Sequence, residues 1–405
     1  MFYYKKYKSF LIRKIFSLIM LFYKPERKKL NKVLSYCSEN IDFYRDLGDS
    51  LEKYPYIDKM VIRNNFGRFI NKKIRIKNIG MTSGTTGTPG KYYRDILSMA
   101  AEQYFQDKYF NWGGTYRVIF RGEKLFGHDH QSDKIYRTVP LIGEMLVSSY
   151  HINDNSLKKL VEKLKTIRGR KSLWAYPSSA YALADYCLRN NENLIFDVVA
   201  LSSEVLVEHY RNTIGNAFQC RVKDWYGQAE RVAALVMCEA GHYHELEGYS
   251  HMEYLPFKDN TFEIVGTTLH NKIMPLVRYN MHDLAEISQE PCLCGDKGTN
   301  ILKIHGRSGG YIELPGRRLS ESPLAFLFKG LENVLEAQVI QKKDKRIIIR
   351  VVRDEKFDGE NERVLIDNIS GIIPWELCTL EYVDKIERDA GGKFRYVINE
   401  GVLQH

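Results

Sequence analysis

Residues 80–91 read Gly-Met-Thr-Ser-Gly-Thr-Thr-Gly-Thr-Pro-Gly-Lys and follow an apolar, strand-like segment at residues 74–79. The stretch contains four glycines, four threonines, one serine and one lysine. Glycines let backbone N–H groups crowd around a phosphate, hydroxyl groups add further donors, and Lys91 supplies positive charge. The stretch therefore predicts a loop that binds a polyphosphate, and the alternative is an incidental polar turn on the surface.

The spacing within this loop excludes two common phosphate-binding motifs. A Walker loop requires a glycine where Pro89 stands and a serine or threonine where Tyr92 follows Lys91. The glycines at 84, 87 and 90 do not match the Gly-x-Gly-x-x-Gly pattern of dinucleotide-binding folds either. The loop is therefore expected to belong to a different nucleotide-binding fold.

The length and composition are those of an ordinary globular protein. With roughly 150 residues to a domain, the 405 residues predict two or three domains, or one large domain with an appendage. A hydrophobic fraction of 44% and a charged fraction of 27% exclude wholesale disorder and collagen-like chains. Seven cysteines without regular spacing do not describe a secreted disulfide scaffold, so we expect a cytoplasmic protein.

The net charge of +10 is concentrated at the start of the chain, where residues 1–32 carry ten Lys and Arg and one acidic residue. The apolar stretch at 10–23 is interrupted by Arg13 and Lys14, and it falls short of the about 20 apolar residues that span a bilayer. Residues 1–30 predict a basic helix on an anionic membrane surface, at the inner face of the membrane, or a helix docked on its own domain. The rest of the chain is nearly neutral, and we expect no nucleic-acid partner.

The remaining sequence alternates between short β-branched runs and segments with helical spacing. Strands are predicted around 118–120, 198–201 and 262–265, and helices around 157–164 and 181–188. This alternation favours an α/β fold. After residue 306 the order becomes strand, helix, two strands, helix and strand, which suits a small α+β domain.

Six segments occur in an order that is typical of one superfamily. They are Thr82-Ser83-Gly84-Thr85-Thr86-Gly87-Thr88-Pro89-Gly90-Lys91, Leu201-Ser202-Ser203-Glu204, Asp224-Trp225-Tyr226-Gly227-Gln228-Ala229-Glu230, Pro275-Leu276-Val277-Arg278-Tyr279-Asn280-Met281-His282-Asp283, Gly306-Arg307 and Gly391-Gly392-Lys393-Phe394-Arg395. Together they resemble the adenylate-forming enzymes, which include acyl-CoA synthetases, luciferases and the adenylation domains of peptide synthetases. The resemblance covers most of the chain.

The resemblance implies an α/β fold with a large N-terminal adenylation domain over residues 1–306 and a small, mobile α+β domain over residues 307–405. It also implies ATP and Mg²⁺ as cofactors, with a small carboxylate as substrate and an acyl acceptor such as CoA. The implied nucleotide-binding residues are Thr82, Ser83, Gly84, Thr85, Thr86, Gly87, Lys91, Ser203, Glu204, Trp225, Tyr226, Gly227, Gln228 and Asp283.

The implied catalytic residues are Glu230, Arg307 and Lys393. Glu230 is expected to hold Mg²⁺, Arg307 to lie near the nucleotide, and Lys393 to reach the forming acyl phosphate. Joining two anions requires that the site neutralise charge, which this set supplies. Asp283 can accept hydrogen bonds from both ribose hydroxyls.

Within the superfamily the chain resembles the phenylacetate-CoA ligase branch and the CapK-like proteins associated with capsular polysaccharide biosynthesis. This closer resemblance rests on three features: the segment 226–231, the Cys292-Leu293-Cys294-Gly295 knuckle and the segment 238–244. The resemblance implies a ligase acting in surface polysaccharide synthesis.

Two departures from the superfamily pattern support an alternative, a decayed adenylating fold that only binds a nucleotide or a partner. Ala229 stands where a threonine hydroxyl is usual, and Ser308-Gly309-Gly310 replaces an acidic hinge. Gln228 could substitute for the missing hydroxyl. Glycines still permit the large backbone rotations of a hinge.

Cysteine and histidine spacing suggests a structural zinc site. Cys238 and His244, with Cys292 and Cys294, form the Cys₃His set of a closed Zn²⁺ site, and His242 or His251 could replace His244. The alternative is three unrelated cysteines with a turn.

The acyl pocket is expected near residues 148–151 and 176–179. The acid, and whether the acceptor is CoA, an amino sugar or a carrier thiol, stay open.

Overall fold

The computed structural model describes residues 30–75, 77–81, 91–121, 135–149, 152, 154–204, 206, 208–258, 260–307, 311–315, 317–320, 324–328, 331, 333–386 and 396–401. The basic segment predicted over residues 1–30 lies almost wholly outside them. No helix of the described residues has both the length and the apolar character needed to cross a bilayer.

The described chain begins with two helices, α1 (Leu30–Asn40) and α2 (Lys59–Asn64). The Asp58 side chain caps α2 by accepting hydrogen bonds from the backbone N–H groups of Met60 and Val61. A short antiparallel pair follows, β1 (Asn78–Met81) with β2 (Lys91–Arg94). These two strands flank the glycine-rich loop, of which residues 82–90 are outside the described part.

Twelve strands form the main sheet. In spatial order they are β11 (Ser250–Lys258), β12 (Thr261–Thr268), β13 (Tyr279–Ser288), β14 (Asn300–Arg307), β10 (Tyr243–Glu245), β9 (Ala234–Met237), β8 (Val222–Gly227), β7 (Val198–Ser202), β6 (Lys171–Ala175), β3 (Tyr116–Phe120), β5 (Glu144–Val147) and β4 (Tyr136–Val139). The strands β5, β3, β6, β7 and β8 run parallel to one another, and β9 to β14 are antiparallel to their neighbours.

Four helices accompany the parallel strands: α3 (Ile96–Phe110), α4 (Asp154–Lys165), α5 (Pro177–Arg189) and α6 (Glu208–Phe218). Side chains of β3, β6 and β7 alternate between two apolar clusters, because successive residues of a strand point to opposite faces. One cluster joins Phe120 and Leu201 to α4, α5 and α6, and the other joins Ala200 to α3. This arrangement leaves the carboxyl ends of five parallel strands at one edge, where open α/β sheets bind ligands.

The C-terminal part forms separate small sheets. β15 (Tyr311–Leu314) pairs with β16 (Arg317–Ser320). A four-stranded sheet of mixed direction follows, in the order β19 (Cys378–Tyr382), β18 (Ile347–Arg353), β17 (Val334–Gln341) and β20 (Val397–Asn399). Helix α7 (Gly359–Ser370) packs on it through Leu365 and Ile369.

The mixed α/β class with a small α+β C-terminal unit is confirmed. The predicted strands and helices of the main sheet are present. The helix expected over 322–331 is described only as a 3₁₀ turn at Ala325–Phe328. The boundary at 306/307 stays a prediction.

Candidate active site

A hydrogen bond joins two of the predicted motifs at the carboxyl edge of the sheet. The Tyr226 hydroxyl, near the end of β8, donates to Asp283 Oδ2 at 2.6 Å, although 57 residues separate them. Asp283 lies on β13, directly across from Arg307 on β14. The side chains of Tyr226 and Asp283 are both half-buried, so a ligand can reach them. The fold thus places the predicted aromatic and ribose-binding carboxylate in contact.

Glu230 is held by two tyrosines. Tyr279 donates to Glu230 Oε1 at 3.1 Å, and the hydroxyls of Tyr279 and Tyr92 lie 3.2 Å apart. Burial raises the pKa of Tyr279 far above its usual value, so this hydroxyl stays protonated and donates. Among the described residues no hydrogen bond reaches Glu230 Oε2, which leaves one carboxylate oxygen available. We call Tyr92, Tyr226, Glu230, Tyr279 and Asp283 the tyrosine–carboxylate cluster.

Arg94 fixes the backbone between Tyr226 and Glu230. Its Nε donates to the carbonyl oxygen of Ala229 at 3.1 Å, and its Nη2 donates to the same oxygen. The guanidinium lies against Gly80, where an added Cβ would come within 2.3 Å of Arg94 Nη2. The glycine that opens the glycine-rich loop therefore allows a close approach that links the strand before the loop to the residues that follow β8.

The structure corrects the assignment of the Trp225 side chain as a nucleotide contact. Trp225 is 3% exposed and packs against Phe110 and Tyr249, on the face of the sheet opposite to Tyr226. The physical reason is the strand period of two, which turns consecutive residues to opposite faces. Gly227 is also explained by this tryptophan, because an added Cβ would lie 2.6 Å from Trp225 Nε1.

The side chain of Gln228 is engaged within the protein. Its Nε2 donates to Met281 Sδ, and its Oε1 accepts from Ala233 N at 3.4 Å. The amide therefore braces β8 against β13. The idea that it replaces the missing threonine hydroxyl beside Ala229 stays a prediction.

Ser203 and Glu204 follow the carboxyl end of β7. Ser203 has a left-handed backbone with φ of 74°, which is uncommon outside glycine. Its hydroxyl lies 2.6 Å from Arg121 Nη2, which donates to it. Both Ser203 and Glu204 are accessible from the edge of the sheet.

Several predicted residues lie outside the described part. These are Thr82, Ser83, Gly84, Thr85, Thr86, Gly87 and Lys393. Lys91 is described, and its Nζ lies 5.2 Å from the centre of the Tyr93 ring. For Arg307 only the backbone is described, opposite Asp283.

Cys238, His244, Cys292 and Cys294 form a second group, the Cys/His cluster, in which the four ligand atoms lie within 4.8 Å of one another. The Sγ atoms of Cys238 and Cys292 are 3.7 Å apart, and Cys294 Sγ is 3.3 Å from His244 Nε2. Tetrahedral Zn²⁺ with Zn–S near 2.3 Å would place ligand atoms about 3.5–3.8 Å apart. The donor set and spacing therefore fit a zinc ion.

The loops around the Cys/His cluster are ordered by backbone hydrogen bonds. Cys238 N donates to His242 O at 2.7 Å, and Gly295 N donates to Cys292 O at 3.0 Å. His244 Nδ1 lies 3.2 Å from the Thr299 carbonyl oxygen, which directs Nε2 toward the thiols. Of the two alternative histidines, His242 has its Nδ1 2.8 Å from Asn300 Oδ1 and 3.4 Å from Cys292 Sγ, and His251 is not in the group.

Sequence reasoning did not assign four residues that shape the site: Tyr92, Arg94, Arg121 and Met281. Tyr92 and Arg94 directly follow the glycine-rich loop, and Arg121 directly follows a predicted buried strand. That position, at a strand end or next to a ligand loop, was the available signal. No sequence signal pointed to Met281, because an apolar residue on a strand is normally predicted to lie in the core.

The sequence resembles two characterised relatives over most of its length. It is 25% identical to Protein CapK of Staphylococcus aureus, across 92% of this chain and 88% of that protein. It is 23% identical to a phenylacetate-coenzyme A ligase of Thermus thermophilus, across 72% and 71%. Residues 313–400 match the CapK C-terminal domain family.

Solved structures share the fold. One is 2-hydroxyisobutyryl-CoA ligase in the postadenylation state with an acyl-AMP, with a TM-score of 0.54 and 15% identity over 92% of this chain and 88% of that one. An open conformation of the same ligase with 2-HIB-AMP and CoA has a TM-score of 0.50 and 16% identity, over 92% and 90%. The chain therefore has the fold of this CoA ligase and is similar to Protein CapK over most of its length.

Proposed function

We propose that this protein is an ATP-dependent ligase that activates a carboxylic acid as its acyl-adenylate and then transfers the acyl group to an acceptor. A carboxylate oxygen would form a bond to the α-phosphorus of ATP, and the bond from that phosphorus to the bridging oxygen of pyrophosphate would break. The acceptor thiol or amine would then displace AMP. A role in surface polysaccharide synthesis is the finer part of the proposal and rests on the resemblance to CapK alone.

The contact between Tyr226 and Asp283 is the observation that carries the proposal. It brings together an aromatic ring and a carboxylate from motifs far apart in sequence, at the ligand-binding edge of a parallel sheet. Relatives supply the reaction class, because a phenylacetate-CoA ligase is among them. The decayed-fold alternative is disfavoured by the retained carboxylates of Glu230 and Asp283.

The described residues would act mainly by positioning. Asp283 would accept hydrogen bonds from the ribose hydroxyls, while Tyr226 holds the carboxylate and offers its ring to the base. Arg94 would keep the Ala229 backbone in place beside the phosphates. Holding both reactants in one geometry lowers the barrier by removing the entropy of encounter. Lys393 and Arg307 would supply charge to the acyl phosphate and the nucleotide.

Glu230 would hold Mg²⁺. Its carboxylate is oriented by Tyr279 and has one oxygen without a described hydrogen bond. Such an oxygen suits a hard cation, which would screen the negative charge of the phosphates.

The Cys/His cluster would hold a structural Zn²⁺. Four protein ligands complete a tetrahedral site and leave no open position, so the ion would tie the β9–β10 turn to the β13–β14 loop rather than take part in the reaction. The basic residues 1–30 would add contact with anionic lipid.

Carboxylate-dependent exchange of pyrophosphate into ATP tests the proposal without the acceptor. A panel of aryl, alkyl, hydroxy and amino acids is run with wild type, with Lys393→Ala and with Lys356→Ala. Lys356 is an exposed lysine just before α7 and serves as the matched control. Exchange with one acid class that is lost in Lys393→Ala alone is the expected result.

Two negative outcomes have different meanings. Absence of exchange in a protein that still binds ATP would favour the decayed, nucleotide-binding fold. Absence of ATP binding would overturn the assignment of residues 80–91 as a phosphate loop.

A further inference from the structure

Arg121 stands at the carboxyl end of β3, directly after Phe120. Its guanidinium lies over the Trp174 ring at 4.3 Å and 5.5 Å from the Tyr176 ring, and it donates to Ser203 Oγ at 2.6 Å. No carboxylate oxygen of the described residues lies within ion-pair distance of it. A guanidinium carries five N–H donors, so most of its hydrogen-bonding capacity is unused.

Arg117 on the same strand shows what a structural arginine looks like in this sheet. It lies over the Trp112 ring at 4.1 Å, much as Arg121 lies over Trp174, but its Nη1 is 3.9 Å from Glu144 Oε1. The two arginines are four residues apart and therefore point to the same face. The difference is that the one at the amino end of the strand is neutralised within the protein.

The other arginines on this face are also satisfied. Arg94 donates twice to the Ala229 carbonyl, and Arg231 donates to Ser98 O at 3.0 Å and lies 3.8 Å from Glu102 Oε2. Burial lowers the pKa of Arg121, and the opposing influence of Tyr176, Glu102 and Glu204 does not cancel this effect, so the fold disfavours the charge. An anion bound there would offset that penalty.

The surroundings of Arg121 also favour an anion. Helix α5 begins at Pro177, next to Tyr176, and no side chain of the described residues caps it. Free N–H groups and the helix dipole stabilise negative charge at such an end. In the first turn the hydroxyl of Ser179 is 1% exposed and has no hydrogen-bond partner.

We infer that Arg121 binds an anionic substituent of the acid that this protein activates, so that the substrate class is an acid with a second negative group, such as a dicarboxylate or a phosphonate-bearing acid. The inference rests on the proposed function and narrows its substrate. Arg121 is then a specificity-determining residue of the acyl pocket.

The position along the edge assigns the anion to the acid rather than to ATP. Most residues proposed for the nucleotide are on β8, β13 and the β1–β2 loop, and Ser203 and Glu204 follow β7, whereas Arg121 and Tyr176 follow β3 and β6. Three strand spacings, about 14 Å, separate β3 from β8 in the order β3, β6, β7, β8. The Arg121 side chain spans part of that distance to reach Ser203, the residue after β7.

Matched pairs of acids test this inference in the pyrophosphate-exchange assay. The pairs are succinate with butyrate, terephthalate with 4-methylbenzoate, and 3-phosphonopropionate with butyrate. The proteins are wild type, Arg121→Gln, Arg121→Lys and the control Arg117→Gln, all checked for a folded state by circular dichroism. Calorimetric binding of succinate and 3-phosphonopropionate is measured on the same proteins.

We expect wild type to favour the charged member of at least one pair by tenfold or more. Arg121→Gln should lose that preference through a higher KM for the acid with an unchanged KM for ATP. Arg121→Lys should restore part of it, and Arg117→Gln should retain it.

Three results would overturn the inference while leaving the ligase assignment intact. The first is pyrophosphate exchange in wild type that favours the uncharged acids. The second is a preference for the charged acids that survives in Arg121→Gln. The third is a rise in KM for ATP, and not for the acid, in Arg121→Gln. Should no acid support exchange, calorimetry decides alone: Arg121-dependent binding of either anion would support the anion site, and its absence would refute it.

Discussion

The two ends of strands β9, β10, β13 and β14 carry different kinds of chemistry. At one end the tyrosine–carboxylate cluster is held by hydrogen bonds between hydroxyls and carboxylates, with Tyr226 and Asp283 half-buried. At the other end the Cys/His cluster brings three thiols and an imidazole within reach of one another. About 17 Å of strand separates Asp283 from Ser288, beyond which the cysteine loop begins.

If both proposals hold, one sheet combines a ligand-binding site with a metal-held structural site. Hydroxyls and carboxylates can exchange their partners for those of a substrate, whereas three thiolates and an imidazole around one zinc ion would leave no open position. The following experiments ask whether the two ends are as separate as their chemistry suggests.

The largest effect is expected at Asp283. In Asp283→Ala the proposed ribose contact and the Tyr226 hydrogen bond would both be lost, and each hydrogen bond to a charged group contributes about 1.5–3 kcal/mol. Exchange should fall by about a hundredfold or more, mostly through KM for ATP. Steady-state exchange kinetics measure this, with Glu263→Gln on the neighbouring strand as the control. A decrease of less than threefold would separate Asp283 from the nucleotide.

Cys292→Ser should act on stability rather than on the nucleotide site. Cys292 is 5% exposed and lies 3.7 Å from Cys238, so the change removes a central ligand. Metal analysis should show about one zinc ion per chain in wild type and much less in the variant, with a thermal midpoint lowered by several degrees. The buried Cys187→Ser, far from the cluster, controls for loss of a core thiol. Equal zinc content in wild type and Cys292→Ser would exclude this ion.

Asp224 lies between the two ends, and its ionisation should affect the free energy of unfolding. It is buried on β8, accepts a 2.5 Å hydrogen bond from Tyr243 on β10, and also faces Tyr109. Burial raises the pKa of Asp224 to about 7, so the folded chain retains a proton that the unfolded chain releases near pH 4. The free energy of unfolding should therefore fall as pH rises from about 4 to about 7.

Asp224→Asn removes this titration. Relative to wild type, its free energy of unfolding should increase between pH 4 and pH 7, by up to about 4 kcal/mol, and the difference should stay constant at higher pH. Urea denaturation at several pH values measures the difference. A difference that does not vary with pH would show that Asp224 ionises normally in the folded protein.

Tyr226→Phe should have the smallest effect. The ring is kept and one hydrogen bond to a carboxylate is removed, so KM for ATP should rise about tenfold with little change in kcat. The control is Tyr254→Phe. In wild type the Tyr254 hydroxyl donates to Glu245 Oε1 at 2.9 Å, and this pair is not part of the tyrosine–carboxylate cluster. Equal effects of the two changes would mean that Tyr226 acts only as packing.

The order of the superfamily segments along the chain predicted more of the candidate site than the local pattern of apolar and polar residues did. The segments ending in Glu230 and Asp283 were assigned from the sequence, and the fold places them at one sheet edge. Trp225 was assigned to the nucleotide with its neighbour, but a strand alternates its faces and only one of two adjacent aromatics can point to the ligand. Deciding which one requires knowing which face is covered by α3.

The pairing of Cys238 and His244 with Cys292 and Cys294 was also predicted, because three thiols and an imidazole are the ligand set of a closed zinc site, although the Cys-x-Cys spacing is tighter than the usual Cys-x-x-Cys. The contribution of Arg121 could not be predicted. An arginine after a buried strand is common, and its missing carboxylate partner is visible only once Trp174, Tyr176 and Ser203 are placed around it.

The sequence by itself determined the fold class, the position of the glycine-rich loop and the chemical types of both clusters, because backbone freedom, side-chain charge and ligand softness are properties of residues and short motifs. Only the tertiary structure decided which tyrosine meets Asp283, which histidine joins the three thiols in one group, and which arginine has no ion pair among the described residues. Those outcomes depend on strand register and on which sheet face is buried, and both are set by contacts between residues far apart along the chain.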